Sequence, residues 1–106
     1  ILKRINKSGN ILKYKDITLD TSKSLIYYEK GEITLSRNEM MIFYYLIKNE
    51  GKIVSREDIM NYLWDTEDFI DDNTLTVNIA RLRSKLEEAG LENVIETRRG
   101  QGYILI

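Results

Sequence analysis

The first third of the chain alternates apolar and polar residues over short runs. The runs read ILKYKDITLD from Ile11, SLIYYEK from Ser24 and GEITLS from Gly31. Alternation with a period of two is typical of strands that bury one face, and turn residues separate the runs. The pattern predicts three or four short antiparallel strands that form a small N-terminal sheet.

The middle third carries the spacing of two helices. Ser36 followed by Glu39 forms a capping box, which satisfies amide donors at a helix start, and Gly51 ends the periodic segment that follows. A second box, Ser55 with Asp58, opens a shorter segment that runs to the single tryptophan. Both segments place apolar residues three and four positions apart, so each predicts an amphipathic helix.

A third helix is predicted over DDNTLTVNIARLRSKLEEAG, residues 71–90, with an aspartate cap and a closing glycine. Its apolar row is Leu75, Ile79, Leu82 and Leu86. Beside that row runs a polar one, formed by Thr74, Asn78, Arg81 and Lys85. Arginine can grip guanine and asparagine can pair with adenine, so such a row suits a DNA major groove. The helix alone leaves a merely solvated face equally open.

The tail NVIETRRGQGYILI, residues 93–106, contains two apolar stretches joined by RRGQG. Two glycines in three residues permit a tight reversal, which predicts a β-hairpin. Arg98 and Arg99 lie beside the turn and could reach phosphates or a minor groove. An arginine pair at a turn is more often ordinary surface, but a preceding groove-reading helix favours binding to nucleic acid.

The composition narrows the function classes. A length of 106 residues with 42% apolar content fits one domain, and the formal net charge is only −1. The chain has no cysteine and no histidine, so the usual catalytic triads and thiolate zinc sites are excluded. We expect no enzymatic activity, no metal site and no cofactor. The longest apolar run, MMIFYYLI, is too short to cross a bilayer, and a cytoplasmic location is expected.

The chain begins at Ile1 and continues with the loose sequence KRINKSGN. We therefore expect residues 1–10 to be the remnant of a linker in a longer protein and residues 11–106 to form the domain.

The segments TLTVNIARLRSKLE and IETRRGQGYIL together resemble the C-terminal effector domain of OmpR/PhoB-type response regulators. LSRNEMMIFYYLIKNEGKIVSREDIMNYLW is similar to the first two helices of the same family, so the resemblance covers about residues 11–106. It implies an α+β fold, a winged helix-turn-helix with a four-stranded N-terminal antiparallel sheet, three helices and a C-terminal β-hairpin wing.

The resemblance also implies DNA contacts. The positions that would read bases are Thr74, Val77, Asn78 and Arg81. The resemblance places Lys85 near phosphate, and Thr97 and Arg99 of the wing at the DNA backbone or minor groove. From their own positions Arg98 and Arg83 are also expected near the backbone, although Arg83 could instead reach an acid within the protein. Many relatives carry a basic residue where Asn73 or Ala80 stands here, so the resemblance leaves open whether those two positions contact DNA.

The acidic segment DTEDFIDD between the second and third helices is unsuited to DNA. In the family this loop is associated with RNA polymerase, which would assign that contact to Asp65, Glu67, Asp68 and Phe69. Helix capping and solubility explain the acids equally well.

The predicted function is sequence-specific binding of double-stranded DNA by the output half of a two-component transcription factor. The resemblance implies an absent receiver domain, a cognate histidine kinase and a dimer on paired half-sites. LWDTEDFIDDNTLTVNIARLRSKL is most similar to the BceR/GraR subgroup, which implies control of antimicrobial-peptide and cell-envelope resistance genes. The alternatives are a winged helix for protein interaction and the DNA-binding domain of a membrane-anchored one-component regulator.

Overall fold

The computed structural model describes residues 11–64 and 72–106. The first sheet contains β1 (Ile11–Tyr14), β2 (Ile17–Asp20), β3 (Leu25–Tyr28) and β4 (Gly31–Thr34). The helices are α1 (Arg37–Lys48), α2 (Arg56–Trp64) and α3 (Asp72–Glu88). The second sheet contains β5 (Ile53–Val54), β6 (Ile95–Arg98) and β7 (Gly102–Leu105). The predicted linker remnant, residues 1–10, and residues 65–71 of the acidic segment lie outside the described residues.

The N-terminal sheet is an antiparallel meander in the order β1-β2-β3-β4. Its register aligns Leu12 with Leu19, Leu19 with Ile26 and Ile26 with Ile33. One apolar residue of each strand thus stands in a single row across the sheet, and the three members on β2 to β4 are buried. This row explains the alternating pattern and confirms the predicted four-stranded sheet.

Both capping serines lie where the sequence predicts them. The Ser36 hydroxyl accepts a hydrogen bond from the Glu39 amide at 3.2 Å, and Glu39 Oε1 accepts one from the Ser36 amide at 2.9 Å. At the start of α2, the Ser55 hydroxyl accepts from the Asp58 amide at 2.9 Å. These bonds satisfy amides that have no partner within the helix, so each helix begins at a defined residue.

The end of α3 is closed by glycine. The Leu91 amide donates to the Leu86 carbonyl at 2.8 Å, and the Gly90 amide donates to the Glu87 carbonyl at 3.0 Å. Gly90 has a φ of +91°, so the pair of bonds forms a Schellman motif in the left-handed conformation that glycine adopts without strain. The predicted helix end is confirmed, and the chain turns here towards β6.

The core lies between the first sheet and the three helices. The apolar row predicted for α3 is buried in full and belongs to one core cluster with Ile42, Phe43 and Leu46 of α1 and with Ile59 and Leu63 of α2. The ring of Tyr14 meets that of Phe43 edge-on, with centroids 6.0 Å apart. Tyr14 also donates a hydrogen bond to the carbonyl of Ile106, which attaches the first sheet to the end of the chain.

The second sheet has the order β5-β7-β6 and contains the predicted hairpin. Strand β5 was not predicted, because two residues are too few to display a period. It pairs Ile53 with Ile104 and Val54 with Tyr103, and it joins the hairpin to the start of α2. The wing is therefore part of a three-stranded sheet, and β5, which directly precedes α2, fixes the position of this sheet relative to that helix.

Candidate nucleic-acid interface

The exposed face of α3 is rotated relative to the predicted polar row. Exposed positions along this helix, between residues 73 and 84, are Asn73, Thr76, Val77, Ala80, Arg81 and Ser84. At 100° per residue their centre lies about 90° around the helix from the row of Thr74, Asn78, Arg81 and Lys85. Of that row only Arg81 is exposed, because the row adjoins the buried leucines and lies at the edge of the core.

Asn78 is turned inwards. Its side chain is 6% exposed, and Nδ2 donates to the carbonyl of Thr74 at 2.9 Å. This bond runs one turn back along the same helix, which lets an amide be buried with a partner. Thr74 is half-buried. The base contacts predicted for both residues stay predictions, and in this structure the amide of Asn78 serves its own helix.

Lys85 joins α3 to the start of α1. Its Nζ lies 2.6 Å from Glu39 Oε1 and 2.9 Å from the Thr34 carbonyl. The Glu39 side chain is 2% exposed and that of Lys85 is 30% exposed. Burial alone would raise the pKa of the Glu39 carboxyl, but the Lys85 ammonium and the Ser36 amide together hold that pKa below its usual value. The ammonium predicted to lie near phosphate is here the partner of a buried carboxylate.

Arg83 joins α3 to the wing. Its Nε donates to the Ile95 carbonyl at 3.1 Å, and Nη2 donates to the Thr97 hydroxyl at 2.6 Å. The guanidinium thus spans from the helix to β6, and it fixes the wing relative to α3. The phosphate contact predicted for Arg83 stays a prediction: in this structure its guanidinium bonds within the protein, and its side chain also lines an open groove beside β6.

The wing carries its arginines at a tight turn. The Gln101 amide donates to the Arg98 carbonyl at 2.8 Å, and Gly100 takes the third position of this turn with a φ of +75°. Arg98 Nη2 lies 3.0 Å from Glu96 Oε1, and both side chains are almost half exposed. Arg99 is exposed at the second position of the turn. The hairpin therefore presents two guanidinium groups at its tip, one of them beside an acid.

Arg56 was missed by the sequence analysis. Its guanidinium donates to the hydroxyl of Thr76 on α3 at 2.8 Å and, through the other nitrogen, to the hydroxyl of Tyr103 on β7. It also lies 5.7 Å from the centre of the Tyr103 ring. The only sequence signal was a basic residue directly after the Ser55 cap, which could not reveal partners 20 and 47 positions away.

Three arginines line one open cleft between the start of α2 and the tip of the wing. The lining residues are Ser55, Arg56, Thr97, Arg98, Arg99, Gly100, Gln101 and Gly102. The start of α2 adds the positive end of a helix dipole to these guanidinium groups. A cleft of this composition favours a polyanion such as a phosphate backbone.

The acidic segment, metal groups and membrane spans remain to be placed against the described residues. Asp65, Glu67, Asp68 and Phe69, the predicted polymerase contacts, lie outside the described residues. Within residues 11–64 and 72–106, acidic side chains form no group of three that could hold a metal ion. In the same ranges, every helix is too short or too polar to cross a bilayer.

Residues 30–105 match the family model described as "Transcriptional regulatory protein, C terminal". The response regulator protein GraR of Staphylococcus saprophyticus is 45% identical over 94 residues, which is 89% of this chain and 42% of that protein. The sensory transduction protein BceR of Bacillus subtilis is 49% identical over 86 residues, which is 81% of this chain and 37% of that protein. The chain thus spans less than half the length of these curated relatives.

Two solved structures are also similar. The C-terminal domain of the nisin resistance regulator NsrR, described as a lantibiotic response regulator, superposes with a TM-score of 0.80 at 37% identity, covering 89% of this chain and 95% of that one. The DNA-binding domain of the response regulator AdeR, solved in complex with an intercistronic region, gives 0.74 at 30% identity, covering 89% and 97%. These likenesses confirm the predicted winged-helix fold.

Proposed function

The chain belongs to the C-terminal domain family of transcriptional regulatory proteins, which are not enzymes, and we propose that it binds a specific double-stranded DNA site for a two-component response regulator. The observation that carries the proposal is the shared frame of α3 and the wing. Arg56 contacts both elements, and Arg83, which is part of α3, contacts the wing. An exposed helix and an arginine-lined cleft are therefore held side by side. That arrangement fits a helix in a major groove with phosphates beside it.

The roles of the exposed residues follow from their positions. We assign base contacts to Val77 and Arg81, which lie on the exposed face of α3, with Thr74 at its edge. We assign backbone contacts to Arg98 and Arg99 at the wing tip. Thr97 accepts a hydrogen bond from Arg83, lines the same cleft and is exposed, so we also assign it a backbone contact.

The remaining predicted contacts have a different proposed role. Asn78, Arg83 and Lys85 use their polar groups within the protein, on α3, β6 and α1 respectively. We propose that they set the orientation of α3 relative to the other elements, and that a DNA contact by any of them is secondary to that role.

We propose that a longer parent protein supplies the rest of the system, since the chain spans less than half the length of GraR and BceR. A receiver domain phosphorylated by a membrane histidine kinase would promote dimerisation on paired half-sites in the cytoplasm. GraR and BceR support a role in signal response, and the lantibiotic regulator NsrR supports a target among antimicrobial-peptide and cell-envelope resistance genes. We also propose RNA polymerase as a partner of the acidic segment.

Two variants test the assignment of helix and wing. Arg81→Ala is expected to cost roughly 1–3 kcal/mol of binding free energy and to relax the preference at one base pair. Arg99→Ala is expected to weaken all duplexes nearly equally and to reduce the slope of log K against log salt by about one unit. Binding is measured on a site enriched from random duplexes and on random duplex.

The same titration decides between this function and a protein-interaction module. A DNA reader prefers the enriched site and loses affinity steeply with salt on both duplexes. Equal, weak binding to both would overturn the proposal. An exchange of the two variants' effects would mean that α3 and the wing have each other's role.

A further inference from the structure

We propose that the exposed face of α3 recognises thymine methyl groups, with Val77 and Ala80 as the contacting side chains. This inference rests on the proposed function and adds the class of DNA sequence that the domain selects. It predicts a site with adjacent A·T pairs at the centre of the α3 contact and a G·C pair where Arg81 projects.

The apolar character of this face is the first observation. Val77 is 37% exposed, which makes it one of the large apolar side chains left open to solvent in the part of the chain that the structure describes. Ala80 lies three positions further along and is also exposed, so the two share one side of the helix. Small polar residues border them, since Asn73, Thr76 and Ser84 are exposed as well.

The placement of the charges is the second observation. Between residues 73 and 84 the sequence has two charged residues, Arg81 and Arg83, and no acid. Arg83 bends towards β6, and the amide of Asn78 turns back to the Thr74 carbonyl. Arg81 is therefore the guanidinium that the exposed face offers to a base, and it lies at one side of the apolar pair.

The chemistry of the major groove then selects the base. Thymine is the base that presents a methyl group there, and alanine and other apolar side chains contact it, whereas arginine pairs with guanine O6 and N7. Side chains three positions apart on a helix have Cβ atoms about 5–6 Å apart. Successive bases of one strand are spaced by about 3.4 Å, so Val77 and Ala80 can reach neighbouring base pairs.

Replacing thymine by deoxyuridine tests this directly, because it removes the methyl group and keeps the base pair. A duplex is first enriched from a random pool with the 106-residue chain, and single thymines in it are then replaced. One buried methyl group is worth about 0.8 kcal/mol, so each contacted thymine should cost about fourfold in affinity when replaced. The loss should shrink at one thymine in Val77→Ala, which keeps only the Cβ methyl, and should vanish at a neighbouring one in Ala80→Gly, which removes that methyl.

The ratio of thymine to deoxyuridine affinity is taken within each variant, so a general loss of stability does not affect it. Ile11→Ala serves as the control, because Ile11 is an exposed apolar residue on β1 of the N-terminal sheet. It should keep the full ratio at every position. A preferred site whose affinity is unchanged by every replacement would overturn the thymine inference and leave the proposed function standing. Failure to enrich any duplex would overturn the proposed function itself.

Discussion

Gly102 lets β7 pass the backbone of β5 at very short range. A Cβ atom at this position would lie 2.0 Å from the Val54 carbonyl oxygen and 2.7 Å from the Cα of Ser55, and the glycine has a φ of +139°. Neither neighbour is a flexible side chain, so the backbone would have to move. We expect Gly102→Ala to lower the free energy of unfolding by about 2 kcal/mol or more, as measured by urea denaturation.

Gly100 is the matched control for that substitution. It also has a positive φ, +75°, but a Cβ there would meet nothing within 4 Å. Gly100→Ala should therefore cost only the conformational strain, about 1 kcal/mol. If the two variants unfold at the same urea concentration, the contact between β7 and β5 is looser than the structure shows.

Glu39 gives stability a defined dependence on pH. Its folded pKa is lower than the value of about 4.3 in an unfolded chain, because Lys85 and the Ser36 amide outweigh the effect of burial. The unfolded chain therefore takes up protons first on acidification. The stabilisation is complete above about pH 4.3, and it is lost as the pH falls through the lower, folded pKa.

Glu39→Gln should remove that dependence. At pH 7 we expect a loss of about 1–2 kcal/mol, since the partner Lys85 is partly exposed and keeps its bond to the Thr34 carbonyl. Urea denaturation at pH 7 and at decreasing pH should show the gap between the two proteins closing below about pH 4. The pKa of Asp20 is also lowered, mainly by the hydrogen bond that its carboxylate accepts from the Ser22 side chain. Asp20 is present in both proteins, so its effect on stability cancels in the difference between them. A gap that stays constant with pH would exclude a charged Glu39.

At the scale of elements, Arg56 is the link between α3 and the wing. A lysine can replace its charge but not the fork that bonds Thr76 and Tyr103 at once. We expect Arg56→Lys and Thr76→Val to be non-additive in DNA binding, with a coupling of about 1 kcal/mol on the enriched site. Arg56→Lys combined with Thr18→Val, on β2 of the first sheet, should be additive. Additivity in both pairs would contradict the role of Arg56 as a link.

The elements themselves could largely be predicted from the sequence. The capping box at Ser36, the Ser55 cap and the glycine at position 90 mark helix ends through bonds within one or two turns, so local sequence suffices. The alternation of the first strands reflects the apolar row across the sheet. Local signals of this kind do not reveal β5, because this strand is defined by its pairing with Tyr103 and Ile104, which lie 49 and 51 positions after their partners.

The site was harder to predict for the same reason. Residue type alone assigns the polar row of α3 to DNA, although this row adjoins the leucine row and two of its members, Asn78 and Lys85, bond within the protein. The bond of Lys85 joins residues 46 positions apart, and those of Arg56 join residues 20 and 47 positions apart. Such contacts depend on how the helices cross, which helical periodicity does not specify.

At the scale of the whole molecule, the net charge of −1 gives no attraction to DNA, so binding depends on where the charges lie. Glu96 pairs with Arg98 at the wing tip and reduces the positive charge of the cleft. Glu29 is exposed in the turn between β3 and β4 of the other sheet. Removing either acid changes the net charge equally, from −1 to 0, by the loss of one negative charge.

The two substitutions therefore separate local from overall charge. Glu96→Gln frees Arg98 for a phosphate, so affinity for random duplex should rise about two- to fivefold, and the slope of log K against log salt should steepen by up to about 0.9. Glu29→Gln should change neither quantity measurably, because Glu29 is exposed and does not line the cleft, and exposed charges are screened over a Debye length of about 10 Å at 0.1 M salt. An equal rise in both variants would mean that the charge of the whole chain, and not the cleft beside the wing, governs attraction to DNA.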